Sequence, residues 1–419
     1  MAIKAFFSNQ AGAPVLDGTI GSLIAVLDGC LVDGYNQVSV STITRSGSTV
    51  TVTCAAAHGY DNPATTYYAK NGVGNIALVS GAAETEYNGD WPITYVSPTV
   101  FTYDIGSATP ATPANGTIVT RRAGGGFSKV YSATNRGVYR SNDLTSRRHY
   151  WQVNDTADCP NGQGARYAGW RGYESMTGID TGDGPFPTII QAGVFGEYVC
   201  KSSAADSGAR HWALYTDGKT VIIVLNPSQG GMGVDRYSYV AGFGDLLSVT
   251  PDAYATFCAG LSNGSTVYNA NVDCGLLTQA GGVSANPNSG AGWTALARKY
   301  TGVRSPVWSS AIVGMGMSQT GGCIGFSGPF MFPDGLSNRF LLTQLMMYEP
   351  TALGAVLRGS LPLYESGVGV AHIDREIIGN IVGREGRVFQ YIRSSNVNSN
   401  GTVGGVYVDL TGNSSGKWS

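Results

Sequence analysis

The sequence predicts an all-β protein: a Gly-rich β-sandwich of jelly-roll type, carrying an inserted small β-sandwich or barrel module and one amphipathic helix near the N-terminus. Three observations lead there. Gly supplies 60 of the 419 residues, whereas charged residues make up 13%, about half the share of an average soluble protein. Hydrophobic residues at 42%, with 23 Tyr and 7 Trp, provide enough apolar surface to fold, so the low charge does not mark disorder. Short alternating runs recur between clusters of Gly, Pro, Asn and Asp, the residues that set the dihedral angles of tight turns. The length suffices for two or three domains.

The first element is helical. In TIGSLIAVLDGCLVDG the apolar residues Ile20, Leu23, Ile24, Leu27 and Leu31 fall at i, i+3, i+4, i+7 and i+11, a period of 3.6. Thr19 or Asp17 is available as N-cap and Gly34 as the stop, giving about four turns. Such a helix packs over the main domain's sheet or serves as a docking or trimerisation element.

Beyond it the period becomes 2. Residues 38–54, VSVSTITRSGSTVTVTC, alternate in two arms around Ser46-Gly47-Ser48, the pattern of a hairpin. A loop and the run IALVSG follow. In EYNGDWPITYVSPTVFTYDIG, Asn88-Gly89 is a turn signal, Trp91 to Tyr95 reads as one strand, Ser97-Pro98-Thr99 turns, and Phe101-Thr-Tyr103 begins the next strand. The unit ends near Asn115-Gly-Thr-Ile118, and its five or six short strands can close a small barrel or sandwich.

Residues 122–350 read as a larger sandwich. HWALYTDGKTVIIVLNP contains the clearest hairpin, with Asp217-Gly218 between two apolar runs. Similar runs occur at 127–131, 149–153, 188–194, 246–249, 255–258, 307–313 and 340–348, mostly with Gly or Pro in the gaps. This spacing suggests two packed sheets instead of βαβ units, and no repeat of solenoid length appears. Residues 351–419 add strands within HIDREIIGNIVGREGRVFQYIRSS and at 406–410. These pack on the main domain or form an arm exchanged with a neighbouring subunit. The division is 1–37, 38–121, 122–350 and 351–419.

The stretch STVTVTCAAAHGY, followed by IALVSGAAETEYNGDWPITYVSPTVFTYDIG and ANGTI, resembles a small β-domain common in tailed-bacteriophage structural proteins, with its HG turn, YNG turn and FTY strand. The segments GSLIAVLDGCLVDGY, RGYESMTGIDTGDGPFP and LTQLMMYEPTALGAVLRGSLPLYES resemble phage virion proteins of unassigned role. In that family the helix often runs straight on into the middle region, so 38–121 looks like an insertion. The resemblance implies a virion protein made in the host bacterial cytoplasm. It points to a tail fibre or other appendage that assembles with other virion proteins as a homotrimer or higher symmetric oligomer and contacts a host surface glycan or receptor. Two alternatives are a capsid decoration or head-fibre protein and a glycan-hydrolysing tailspike, which needs paired carboxylates in a cleft.

Charge and motifs exclude other classes. A net charge of −2 provides no field for nucleic acid. MAIKAFFSNQAG lacks the apolar run of a signal peptide or membrane helix, so no membrane insertion is expected. The seven Cys (30, 54, 159, 200, 258, 274, 323) follow neither a zinc nor a disulfide pattern and read as buried thiols. Gly260-Leu-Ser262-Asn-Gly264, with His372 downstream, matches a nucleophile elbow, but SNGSTVYNANVD is not the helix that this motif requires. Asp180-Thr181-Gly182 matches an aspartic-protease core, yet it lies singly in GIDTGDGPFP, which reads as a loop. Asp180 and Asp183 lack the spacing of an EF-hand. The glycine-rich runs 124–129 and 314–321 lack the order of a phosphate-binding loop. His58, His149, His211 and His372 are scattered, as structural histidines are. A non-enzyme with no cofactor or metal is expected, its surface chemistry residing in Tyr, Asn and Gly of residues 61–72 and 163–174.

Overall fold

Residues Ser22–Leu27 form an α-helix that runs directly into a π-helical stretch, Asp28–Asp33, in the computed structural model. It describes residues 3–64, 75–156, 164–188, 197–227, 239–248, 251–261, 292–304, 307–308, 310–312, 343–351, 354–368, 376–379, 381, 384–393 and 404–411. The helix differs from its expected form. Ile20 lies outside it and is 43% exposed. Neither Thr19 nor Asp17 caps it: the N-cap is Gly21, at φ 84°. Asp17 instead accepts the Thr19 N–H in a turn at 2.8 Å. The cap comes from far along the chain, where Asp155 Oδ2 accepts the Leu23 N–H at 2.8 Å. Gly34 does end the element, at φ 72°. Leu23, Ile24, Val26, Leu27, Cys30 and Leu31 are all buried, so a wide face meets the body instead of a narrow stripe.

Between Tyr35 and Arg122 seven strands pair with one another in a sheet of their own. Their order is Gly89–Pro92, Ile76–Ala82, Gly116–Arg122, Tyr35–Ser46, Thr49–Cys54, Val100–Asp104 and Thr94–Ser97. Tyr35–Ser46 pairs through its first half with Gly116–Arg122 and through its second half with Thr49–Cys54, with register shifts along its length. Such shifts let one strand turn a corner between two sheets. The strand expected from Trp91 to Tyr95 is broken at buried Ile93, leaving two short strands at opposite ends of the order. One residue thus carries the chain across, and the sheet nearly closes on itself. Asn88-Gly89 is not a hairpin turn either. The Asn88 amide brackets the Ala82 backbone, donating to its carbonyl at 2.8 Å and accepting its N–H at 3.0 Å. Ile43, Val50, Val52, Val79, Tyr87 and Phe101 fill a separate core, with Trp91 stacked 4.9 Å from Tyr103.

The body is built from two further sheets. One carries, in order, Lys4–Phe7, His211–Thr216, Thr220–Asn226, Tyr239–Asp245, Thr256–Leu261, Glu197–Cys200, Tyr167–Gly178, Tyr150–Asn154, Arg136–Ser141 and Phe127–Ala133, with Thr181–Phe186, Gly292–Leu296 and Val307–Trp308 branching from it. The other carries Ser310–Ile312, Thr343–Thr351, Gly354–Val368, Gly404–Asp409, Val388–Arg393 and Ile377–Gly379. The hairpin of Thr343–Thr351 and Gly354–Val368 runs across residue 350, so strands on both sides of that position share a sheet. Leu246 follows a strand instead of opening one, and Leu247 makes a single bridge to Ser360. Runs 189–194, 249 and 340–342 lie outside the described residues.

Alternation within one strand shows the layers. Every residue of Thr220–Asn226 is buried. Ile222 and Val224 join Phe7, Tyr215 and Phe257 against Met347, Leu361 and Val408 of the second sheet. Val221, Ile223 and Leu225 point the other way, toward Leu23, Leu27 and Leu31 of the helical segment. On that side Phe243 stacks on Trp151 at 4.7 Å and meets Trp170 edge-on at 5.2 Å. Three strands separate Phe243 from Trp151 in the sheet order, so the sheet curls around the helix.

Candidate functional site

The most constructed polar site among the described residues lies where the 35–122 module meets the body. The chain enters at Tyr35 and leaves at Arg122, which face each other as strand partners. The two crossings touch. A Cβ on Gly34 would lie 2.0 Å from the Arg122 carbonyl oxygen, and one on Gly124 would lie 2.3 Å from the Val32 oxygen. Only glycine leaves room for such an approach.

Arg122 is the centre of the junction, buried with 3% of its surface exposed. Its guanidinium pairs with Asp61 Oδ2 at 3.2 Å and donates to Asn75 Oδ1 at 3.3 Å. It also lies over the rings of Tyr60, at 5.5 Å, and Tyr35, at 5.9 Å. These contacts suit the planar fork of Arg, which binds carboxylate and stacks on aromatic faces together. The body reaches in through the first strand and the turn after it. Gln10 Nε2 donates to Asp61 Oδ2 at 2.7 Å, while Gln10 Oε1 accepts the Tyr35 hydroxyl and the Phe7 N–H. Lys4 Nζ pairs with Asp90 Oδ2 at 2.5 Å and donates to the Gly124 carbonyl. Asn36, at φ 59°, donates to the His58 carbonyl at 2.8 Å.

Burial sets the protonation of the surrounding groups. It pushes the Tyr35 and Tyr60 hydroxyls well above the usual phenol range, against the pull of Arg122. Burial likewise lowers the His58 imidazole. Its Nδ1 accepts the Tyr60 N–H at 3.1 Å and its Nε2 faces the Ser97 carbonyl at 2.8 Å, which assigns the neutral tautomer protonated at Nε2. A desolvated, fully paired network of this kind fixes orientation.

Among the described residues, those that catalytic motifs suggested do not converge. Ser262, His372, Cys159, Cys274, Cys323 and the run 314–321 lie outside the described residues. GIDTGDGPFP is not a loop. It turns at Ile179-Asp180, the latter at φ 58°, and Thr181–Phe186 returns along Tyr167–Gly178. Asp180 pairs with Arg136, and Asp183 with Arg304 at 2.6 Å. Each thus faces a cation, Arg304 being shared with Glu174, and no group of three metal-binding side chains occurs among the described residues. Gly124 and Gly125 serve close packing, Gly125 N–H donating to the Cys30 carbonyl at 2.8 Å. His149 is buried beside Thr256 and Phe186, far from His58 in the fold's connectivity, and His211 lies near Ser8. Cys30, Cys54, Cys200 and Cys258 are buried free thiols.

One surface expectation is overturned. Residues 164–166 form a short turn, and Tyr167–Gly178 is an interior strand between Tyr150–Asn154 and Glu197–Cys200. Tyr167, Trp170 and Tyr173 are consequently buried, with Trp170 Nε1 donating to the Ala259 carbonyl at 3.1 Å. Of 61–72, only 61–64 is described, and Asp61 belongs to the junction. The sequence did carry a signal for Arg122. In GTIVTRR the inward positions are Ile118, Thr120 and Arg122, so alternation alone directs this cation inside. No protein-family model matches the chain, and no curated protein is significantly similar to it.

Proposed function

We propose that this chain is a structural subunit of a tailed-bacteriophage virion, a tail fibre or other tail appendage component. It assembles as a symmetric homo-oligomer with other virion proteins, and its 35–122 module faces a neighbouring subunit or a host surface glycan or receptor. The observation that carries this reading is the junction: a sheet closed within 35–122, with its own core, is held to the body by Arg122, Asp61, Gln10 and Lys4. An appendage subunit has to pass a fixed orientation from its assembled body to the module it presents, and buried paired charges specify one geometry more sharply than apolar contact does. The phage-like turn and strand pattern of the module supports the virion assignment. No helix among the described residues is long and apolar enough to cross a membrane.

Antibodies against the 35–122 module, applied to intact virions under the electron microscope, test the reading. Label on tails is expected. Label on the head lattice would replace it with a capsid decoration role, and absence from purified virions would end it. Depolymerisation of host polysaccharide by the purified chain, abolished by one carboxylate substitution in a folded variant, would overturn the non-enzymatic assignment.

A further inference from the structure

Away from the junction, Lys201 and Asp155 form an ion pair with no exposed side-chain surface on either partner, Nζ lying 2.5 Å from Oδ1. Asp155 follows the strand Tyr150–Asn154, and Lys201 follows Glu197–Cys200. These two strands flank Tyr167–Gly178 on opposite sides. Nζ also donates to the Thr19 carbonyl and to Ser22 Oγ, the latter at 3.2 Å. Asp155 Oδ2 is held from the other side by the Leu23 N–H at 2.8 Å. One carboxyl oxygen therefore faces the amine, and the other faces a backbone donor.

Two full charges without water are a costly arrangement, since each has lost its hydration. Burial raises the Asp155 carboxyl above the usual carboxylate range, although Lys201 opposes this. Burial disfavours an ammonium for the same reason. The neutral acid and neutral amine, the reactive pair, are thereby brought within reach.

We propose that Lys201 Nζ and Asp155 Cγ condense to an intramolecular amide cross-link. The step balances without any co-reactant. The ammonium passes one proton to Oδ1, and the freed amine attacks Cγ. A second proton passes from the same nitrogen to the same oxygen, which lies 2.5 Å away before reaction. The Cγ–Oδ1 bond then breaks and water leaves. Oδ2 carries the negative charge of the tetrahedral intermediate, where the Leu23 N–H already points. The product leaves this set of groups satisfied: the amide carbonyl keeps the Leu23 N–H, the one remaining amide N–H donates to Thr19, and Ser22 keeps its bonds to the Asp17 and Thr19 carbonyls. The bond would staple two strand ends 46 residues apart, beside the start of the helix.

Tryptic peptide mapping of the denatured full-length chain by mass spectrometry tests the proposal. The expected product is a branched peptide in which residues 149–166 are joined to 172–210, lighter than the two together by one water molecule, with cleavage after Lys201 blocked. The Lys201→Met chain should release 149–166 as a linear peptide of full mass. Recovery of 149–166 and 172–201 as separate full-mass peptides from folded wild-type protein would overturn the proposal. So would a water loss confined to a linear peptide, as a succinimide at Asp183-Gly184 would give. Should the Met variant fail to fold, the wild-type map decides alone.

Discussion

Alanine at Gly34 and alanine at Gly47 separate the two costs that a turn glycine can carry. Both glycines have positive φ, at 72° and 61°, and a Cβ there costs about 1 kcal/mol at the least. At Gly47 the added Cβ meets nothing within 4 Å, so this is the whole expected loss. At Gly34 it meets the Arg122 carbonyl oxygen at 2.0 Å. The two crossings must then part, straining the pairing of Tyr35 with Arg122, and overpacking of this kind adds about 1–3 kcal/mol. Gly34→Ala should therefore cost about 2–4 kcal/mol against about 1 kcal/mol for Gly47→Ala. Urea unfolding of the full chain measures both, and hydrogen exchange in Thr49–Cys54 and Val100–Asp104 reports on the module directly. Equal losses would show that the crossings are not in contact, and the account of the junction would be wrong.

Arg122→Met strands Asp61 in a largely dry site and should cost about 3–5 kcal/mol. Adding Asp61→Asn should recover part of that, and strict additivity in the double-mutant cycle would refute the pairing. Burial lowers His149 to about 4, so it is neutral in the fold while the unfolded imidazole titrates near 6.5. The folded state then binds fewer protons, and this contribution is present above pH 6.5 and lost as pH falls toward 4, amounting to about 3 kcal/mol in full. Buried Asp217 and Asp245, whose carboxyls are raised, act in the opposite sense and gain stability on acidification. The informative comparison is therefore wild type against His149→Gln, in urea midpoints measured from neutral to mildly acidic pH, where the variant should show the smaller loss. Joining Tyr35 directly to Arg122, already strand partners, should leave a soluble, folded body of unchanged oligomeric state by light scattering. An aggregated product would mean that the module completes the body's core.

Most strands were legible because their signal is local. Asp217-Gly218 between HWALYT and TVIIVLN names both its turn and its arms, and the structure closes that turn with Asp217 Oδ1 accepting the Lys219 and Thr220 N–H groups. Failures occur where a distant residue decides. The helix cap could not be read from Asp17 or Thr19, because Asp155 supplies it across 132 positions of sequence. Trp91 to Tyr95 looks like one strand, and only closure of the sheet breaks it at Ile93. Tyr167 and Trp170 resemble recognition residues in a Gly-rich run until both faces of their strand are seen to be covered. Glycine-rich sequence marks either a loop or a place where two backbones meet, and Gly34 with Gly124 is the second kind. The junction was the least legible part, since its members come from six separate stretches of chain, around residues 4–10, 34–36, 58–61, 75, 90 and 122–124.

Scarcity of charge gives the remaining charged residues a distinctive use. Although charged residues are 13% of the sequence, Lys4, Arg122, Arg171, Lys201, Arg210 and Arg358 are all buried. Arg358 pairs with Glu349 at 2.6 Å and with Asp252 at 2.7 Å, binding the second sheet to a loop of the first. Several of the chain's cations thus act as internal fasteners. Salt ions screen charges across water and reach a desolvated pair far less. The exposed Arg304–Asp183 pair, at 49% and 63%, is the type that salt weakens, and such pairs contribute little. Raising sodium chloride from about 0.05 M to about 0.5 M should therefore change the unfolding free energy by less than about 1 kcal/mol. A steep loss over that range would mean that water reaches Arg122 and Arg358, and that the module and the two sheets are held by contacts other than these.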